Sequence, residues 1–131
     1  MTVRVLLVED HAIFRELFAS SFGREPGLEV VAQAGSLAGA REALEAEPVD
    51  VAVLDLRLPD GEGTDLIGGL REKNPYAAAL ILTASLDAGV YARAVAAGAA
   101  GVLHKSASVE EVMGAIRGLA AGRSSSRRRR P

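Results

Sequence analysis

VAVLDLRLPDGEG, residues 51–63, decides how the rest of the chain is read. Its first half is an almost unbroken apolar run, with the length and β-branched content of a strand covered on both faces. The run ends in a carboxylate, Asp55, and then breaks into a loop marked by Pro59, Gly61 and Gly63. A charge at the end of a buried strand needs a reason, and the segments on either side supply one.

Four more segments read as strands: VRVLLVE (3–9), LEVVAQA (28–34), AALILTA (78–84) and the short AGVLH (100–104), with the central one spanning VDVAVLDL (49–56). Helical spacing fills the gaps. HAIFRELFASSF (11–22) places Ile13, Phe14, Leu17, Phe18 and Phe22 at helical intervals. Ser36 can cap a helix over 37–47 that Pro48 stops. A helix through GTDLIGGLREK (63–73) closes at Asn74-Pro75, and two more cover 87–97 and 109–122. Five strands alternating with five helices predict an α/β, doubly wound, five-stranded parallel sheet covered on both faces. In open sheets of this kind the ligand site lies at the carboxyl ends of the strands.

The bulk properties agree. At 131 residues the chain is one domain by length and can bury a core without staples. It contains no cysteine, which excludes disulfides and Cys-based metal sites. The N-terminus lacks a signal-peptide pattern and no apolar run can span a bilayer, so the expected location is the cytoplasm, with no membrane partner. The net charge of −2 hides an asymmetry: five of the fifteen basic residues, Arg123 and Arg127 to Arg130, sit in the last nine positions. Without them, ten bases face seventeen acids and residues 1–122 carry −7. An acidic body argues against a general nucleic-acid binder. RSSSRRRRP (123–131) reads as a flexible basic tail or the start of an interdomain linker.

At the strand ends the residues cease to be bland. The first strand runs into Glu9-Asp10, the third ends at Asp55, the fourth at Thr83, and the fifth runs into Lys105. Three acids close together repel unless a cation joins them, and ligation by oxygen alone suits Mg²⁺ or Mn²⁺. A hydroxyl and an ammonium facing that ion would hold phosphoryl oxygens, and the nucleophile at hand is a carboxylate. Taken one at a time, an Asp at a strand end is more often a turn former, a Thr an N-cap and a Lys a solvated charge. Their convergence on one edge is the signal.

VEDH (8–11), LDLRLPDGEG (54–63), LTAS (82–85) and AAGAAGVLHKS (96–106) together resemble the receiver domain of bacterial two-component response regulators. The resemblance covers residues 3 to about 121 and is strongest to the NarL/FixJ (LuxR-type) subfamily. It implies a flavodoxin-like (CheY-like) fold with strand order 2-1-3-4-5. It implies that Asp55 accepts a phosphoryl group from a cognate sensor histidine kinase. Glu9, Asp10, Asp55 and the backbone carbonyl of Arg57 would bind Mg²⁺, and Thr83 and Lys105 would contact the phosphoryl group. Ala84 matches a small position that leaves room for donor and water, while Pro59 and Gly63 shape the acceptor loop. Where the family carries Tyr or Phe, three residues before the lysine, this chain has Val102. Either the usual coupling between the Thr and an inward-turning ring is altered, or Val102 simply packs as strand core. Tyr91 is expected at the surface, His11 at a helix start near the metal, and His104 as an outward-facing strand-end residue. Arg57, two positions after Asp55, is placed to tune phosphoryl lifetime.

Such a domain is a switch, and at most it catalyses its own phosphorylation and dephosphorylation. An aspartate-nucleophile phosphohydrolase of the haloacid-dehalogenase type would need a second acid where Arg57 stands. A nucleotide-binding module would need a Gly-rich loop, yet the first loop reads EDHA and GEG lacks the third glycine of a dinucleotide fingerprint. The output stays open between two forms. One is a receiver cut from a transcription factor, with DNA contacted through a domain absent from this chain and a homodimer formed on phosphorylation. The other is a stand-alone receiver that signals by protein contact.

Overall fold

The computed structural model describes residues 2–129, with side chains described through Gly122. Among the described residues, seven strands and five α-helices follow one another. The strands are β1 (Val3–Val8), β2 (Leu28–Ala34), β3 (Val51–Asp55), β4 (Arg57–Leu58), β5 (Gly61–Glu62), β6 (Ala78–Thr83) and β7 (Gly101–His104). The helices are α1 (Ala12–Gly23), α2 (Leu37–Ala46), α3 (Ile67–Lys73), α4 (Ala88–Ala96) and α5 (Val109–Arg129). Five strands form the parallel sheet in the order β2-β1-β3-β6-β7. Counting only those five, this is the expected 2-1-3-4-5 order.

The unbroken apolar runs are explained by two cores, one on each face of the sheet. Alternate residues of a strand point to opposite faces. Leu6, Val8, Ala52, Leu54 and Ile81 pack with Leu37 and Leu44 of α2, Ile67 and Leu70 of α3, and Ala94 of α4. Val5, Leu7, Val51, Val53, Leu80 and Leu82 pack with Phe18 and Phe22 of α1 and with Val112 and Ile116 of α5. Every position of β3 and β6 is buried, so alternation is absent from their sequence.

The punctuation behaves as its chemistry requires. Ser36 Oγ accepts the Gly39 N–H at 3.1 Å and caps α2. Glu47 before Pro48 and Asn74 before Pro75 are both extended, because the proline ring disfavours helical backbone in the preceding residue.

Three boundaries differ from the sequence reading. The segment 63–73 is not one helix but a 3-10 turn over Gly63–Leu66 leading into α3. The loop after Asp55 contains the small antiparallel hairpin β4–β5, with Pro59 and Asp60 at its tip. α5 does not stop at Gly122; its backbone continues to Arg129, into the stretch read as a basic tail or the start of a linker. Nothing in Arg123–Arg129 breaks a helix, and propagating a helix costs far less than nucleating one. The last two residues of that tail lie outside the described residues. Among the described residues, no helix is long and apolar enough to cross a membrane.

Candidate functional site

The sheet delivers its chemistry to one edge. Asp55 is the last residue of β3 and is buried, with 5% of its surface exposed. Glu9 follows β1 and is equally buried, fixed by its own N–H to Ala34 O at 3.0 Å. Thr83 ends β6, and Lys105 follows β7 with its N–H on Thr83 O at 2.8 Å. Asp10, His11, Asp55, Arg57, Thr83, Ala84 and Lys105 line one open cavity of about 450 Å³. Glu9 lies behind its wall, joined to it through Lys105. Of the residues expected here, Pro59, Gly63 and Val102 stand outside the cavity lining. Pro59 sits at the exposed hairpin tip, Gly63 beneath the end of β3, and Val102 half-buried against the α4-side core. Tyr91 is exposed, in keeping with a surface position.

Lys105 is the hub. Its Nζ donates to Asp55 Oδ2 at 3.0 Å and pairs with Glu9 Oε1 at the same distance. It also lies 5.5 Å from the centre of the Phe14 ring, which closes one side of the ammonium with a π-face. Burial alone would lower the pKa of this lysine, but hydrogen bonds to the two carboxylates outweigh it and the net shift is upward. Glu9 Oε2 accepts the backbone N–H and the Nδ1–H of His11, both at 3.0 Å. Arg15 Nη1 donates to the Glu9 carbonyl at 2.6 Å. Burial pushes Glu9 upward; the bonds from His11 and Lys105 overcome it and hold the carboxyl down at about 2.

Asp55 is driven the other way. Burial pushes it up, Lys105 pulls it down, and the charge of Glu9 pushes it up again, leaving it at about 6. Two neighbouring carboxylates therefore differ sharply, one firmly ionised and one close to neutral pH, a separation typical of working sites.

A hard cation fits this arrangement. Oxygens of Glu9, Asp10 and Asp55 come within 4.8 Å of one another, together with a nitrogen of His11. Glu9 Oε1 is buried with the Lys105 ammonium beside it at 3.0 Å, and as a carboxylate oxygen it keeps lone pairs that a cation could share. His11 was expected at a helix start, and it is the N-cap of α1; its Nδ1 is nevertheless bonded to Glu9 and 3.4 Å from Asp10 Oδ1.

The turn that follows Asp55 is held by contacts that no local pattern announces. Asp60 Oδ1 and Oδ2 accept the backbone N–H groups of Leu37 and Ala38 at 2.8 and 3.0 Å, capping α2 from 23 residues away. Gly63 donates its N–H to Leu56 O at 2.8 Å, and a Cβ there would stand 2.3 Å from the Asp55 carbonyl oxygen. That close approach is why only glycine fits. Gly63→Ala is expected to destabilise the fold by about 2–3 kcal/mol, seen as a lowered midpoint in urea; an unchanged midpoint would contradict the contact.

Sequence reasoning missed Phe14 over Lys105, Asp60 as a helix cap, and the engagement of His104. The last faces outward as expected, but it bridges Ser106 and the Ala84 carbonyl. A Phe four residues before Phe18 on an amphipathic helix was a usable hint for the first; the other two depend on long-range partners.

Comparisons with known proteins agree with this geometry. The DNA-binding transcriptional activator DevR/DosR of Mycobacterium tuberculosis is 40% identical over 122 residues, covering 93% of this chain and 56% of that protein. The chain spans about 56–60% of the length of this and other curated relatives it matches. A LuxR-family two-component response regulator from Aurantimonas superposes with a TM-score of 0.84 and 34% identity, covering 93% of this chain and 87% of that one. A response regulator from Burkholderia pseudomallei, solved with a phosphorylated aspartic acid and a calcium ion, gives 0.78 and 26%, covering 95% and 72%. Residues 5–117 match the response regulator receiver domain, and with the sheet order and the acidic edge described above, the chain belongs to that family.

Proposed function

We propose that this chain is the phospho-accepting part of a two-component regulator, with Asp55 as the acceptor. The observation that carries this reading is the buried Asp55 carboxylate, which opens to the cavity with Lys105 Nζ at 3.0 Å and Thr83 at its rim. An Asp55 oxygen attacks the phosphorus of a phosphohistidine; the P–N bond breaks and the imidazole leaves after taking a proton. The product is an aspartyl phosphate whose oxygens face Lys105 and the hydroxyl of Thr83. Glu9, Asp10, Asp55 and the carbonyl of Arg57 would hold Mg²⁺, which when bound neutralises charge on the phosphoryl oxygens. His11 and Arg15 keep Glu9 in place for this.

The donor is a sensor histidine kinase. The exposed apolar residues Ile13, Phe14 and Leu17 lie on α1, the helix whose N-cap, His11, lines the cavity, and give such a partner a surface to cover. The Burkholderia structure supports the phosphoaspartate, and the DevR/DosR likeness supports a transcriptional output through another domain. Arg57 is exposed at the cavity, where a hydrolase of the competing type would need an acid.

The test is incubation with a small acyl phosphate and Mg²⁺, followed by intact mass. A gain of one phosphoryl group is expected; no gain overturns the reading. The metal itself has a pH signature. Because Asp55 is held up at about 6 without metal, a cation must displace its proton below that pH. Apparent Mg²⁺ affinity should fall about tenfold per unit below pH 6 and level off above. Titration calorimetry from pH 5 to 8 reads this directly, and a flat profile would count against it.

A further inference from the structure

We propose that His104 is a positioning residue that latches the Thr83 loop in its unphosphorylated arrangement; the proposal rests on Asp55 being the acceptor. His104 is the cross-strand partner of Thr83. The Ser106 backbone N–H, which can only donate, points at His104 Nδ1 at 3.0 Å. Nδ1 is therefore an acceptor, and the ring proton sits on Nε2. Nε2 lies 2.9 Å from the Ala84 carbonyl oxygen, which can only accept. Both ring nitrogens are committed, and the tautomer follows from the partners alone.

What this bond holds is specific. Ala84 lies between Thr83 and Ser85, and Thr83 Oγ1 is closed onto Ser85, donating to its carbonyl at 3.1 Å and accepting its N–H at 3.2 Å. In this state the hydroxyl is occupied within its own turn and is not offered to Asp55. To meet a phosphoryl oxygen it must leave Ser85, and the peptide that has to move with it is the one His104 holds. Val102, two residues earlier on the same face of β7, is packed in the core and has no polar atom to reach the loop. His104 thus ties the strand that leads to Lys105 to the loop that follows Thr83, and resists the rearrangement until a phosphoryl group draws the hydroxyl away.

Coupling between two states is reciprocal. If phosphorylation breaks the latch, removing the latch favours phosphorylation. With the latch gone, a larger fraction of the protein already holds the loop in the arrangement that accepts the phosphoryl group, so His104→Ala should gain it from a small acyl phosphate about 3- to 10-fold faster than wild type, the scale of one hydrogen bond. His104→Gln, whose amide can donate to the same carbonyl, should return the rate to within about twofold of wild type. In the wild-type protein, ¹⁵N NMR of the imidazole should show the Nε2–H tautomer before phosphorylation and a changed Nε2 signal afterwards. Equal rates for wild type and His104→Ala, or an imidazole spectrum untouched by phosphorylation, would overturn the latch while leaving the mass gain at Asp55 intact. A wild-type protein that gains no mass would remove the acceptor reading and the latch with it.

Discussion

Asp55→Asn will not gain a phosphoryl group from an acyl phosphate, with a loss of at least about 100-fold, a conservative figure for removing a nucleophile. The amide keeps the shape of the side chain and can still accept from Lys105, so the fold should survive. It offers no carboxylate oxygen to the phosphorus. The neighbouring acids do not substitute. Glu9 is buried behind the cavity, with both His11 bonds on one oxygen and a carboxyl held at about 2, which makes it a poor nucleophile. Asp10 stands on the rim, its side chain about one-third exposed, and it ends no strand. Intact mass with and without Mg²⁺ decides the matter; a variant that still gains mass would move the acceptor elsewhere.

Lys105→Met will lower stability in metal-free buffer at pH 8 by about 2–3 kcal/mol. Removing one member of a fully buried ion group costs more, but the Lys105 side chain keeps 19% of its surface, which reduces the effect. The variant leaves Glu9 and Asp55 buried side by side with no cation. Asp55 already titrates above its ordinary range because burial disfavours its charge; without the ammonium it moves higher still. A carboxyl raised in the folded state costs stability as pH rises through its titration. The deficit should therefore shrink towards pH 5 and be fully expressed at pH 8. Millimolar Mg²⁺ should restore most of it, with a larger gain than in wild type, because the ion no longer competes with the ammonium. Urea melts at the two pH values, with and without Mg²⁺, measure all of this. A variant as stable as wild type, or one indifferent to Mg²⁺, would sink it.

The fold was legible because its strands pack on both sides. Leu6 and Leu54 face one core while Val5 and Val53 face the other, so the apolar runs are continuous and bounded by turns. The candidate site was legible for a related reason: in such a sheet the polar residues that end the apolar runs gather at one edge, where Glu9, Asp55 and Thr83 come first after theirs and Lys105 follows His104. The remainder was hidden by its physics. β4 and β5 are two residues each, too short to show a period. The end of α5 is serine and arginine, which read as solvated coil although their backbone is helical to Arg129. Asp60 on α2 and His104 on Ala84 are partnerships across 22 or 23 and 20 residues, and no local spacing encodes them.

The carboxylate of Asp60 has a consequence for how force leaves the site. On that side the turn after Asp55 is riveted: Asp60 grips the first amides of α2, and Gly63 lies against the backbone of Asp55. On the opposite side stand the loop of Ser85 to Asp87, exposed throughout, and α4, in which Ala94 alone is buried. The domain is stiff on one flank and compliant on the other. Strain introduced at Asp55 will follow the softer path and be spent in displacing α4, giving a symmetrical sheet a directional response.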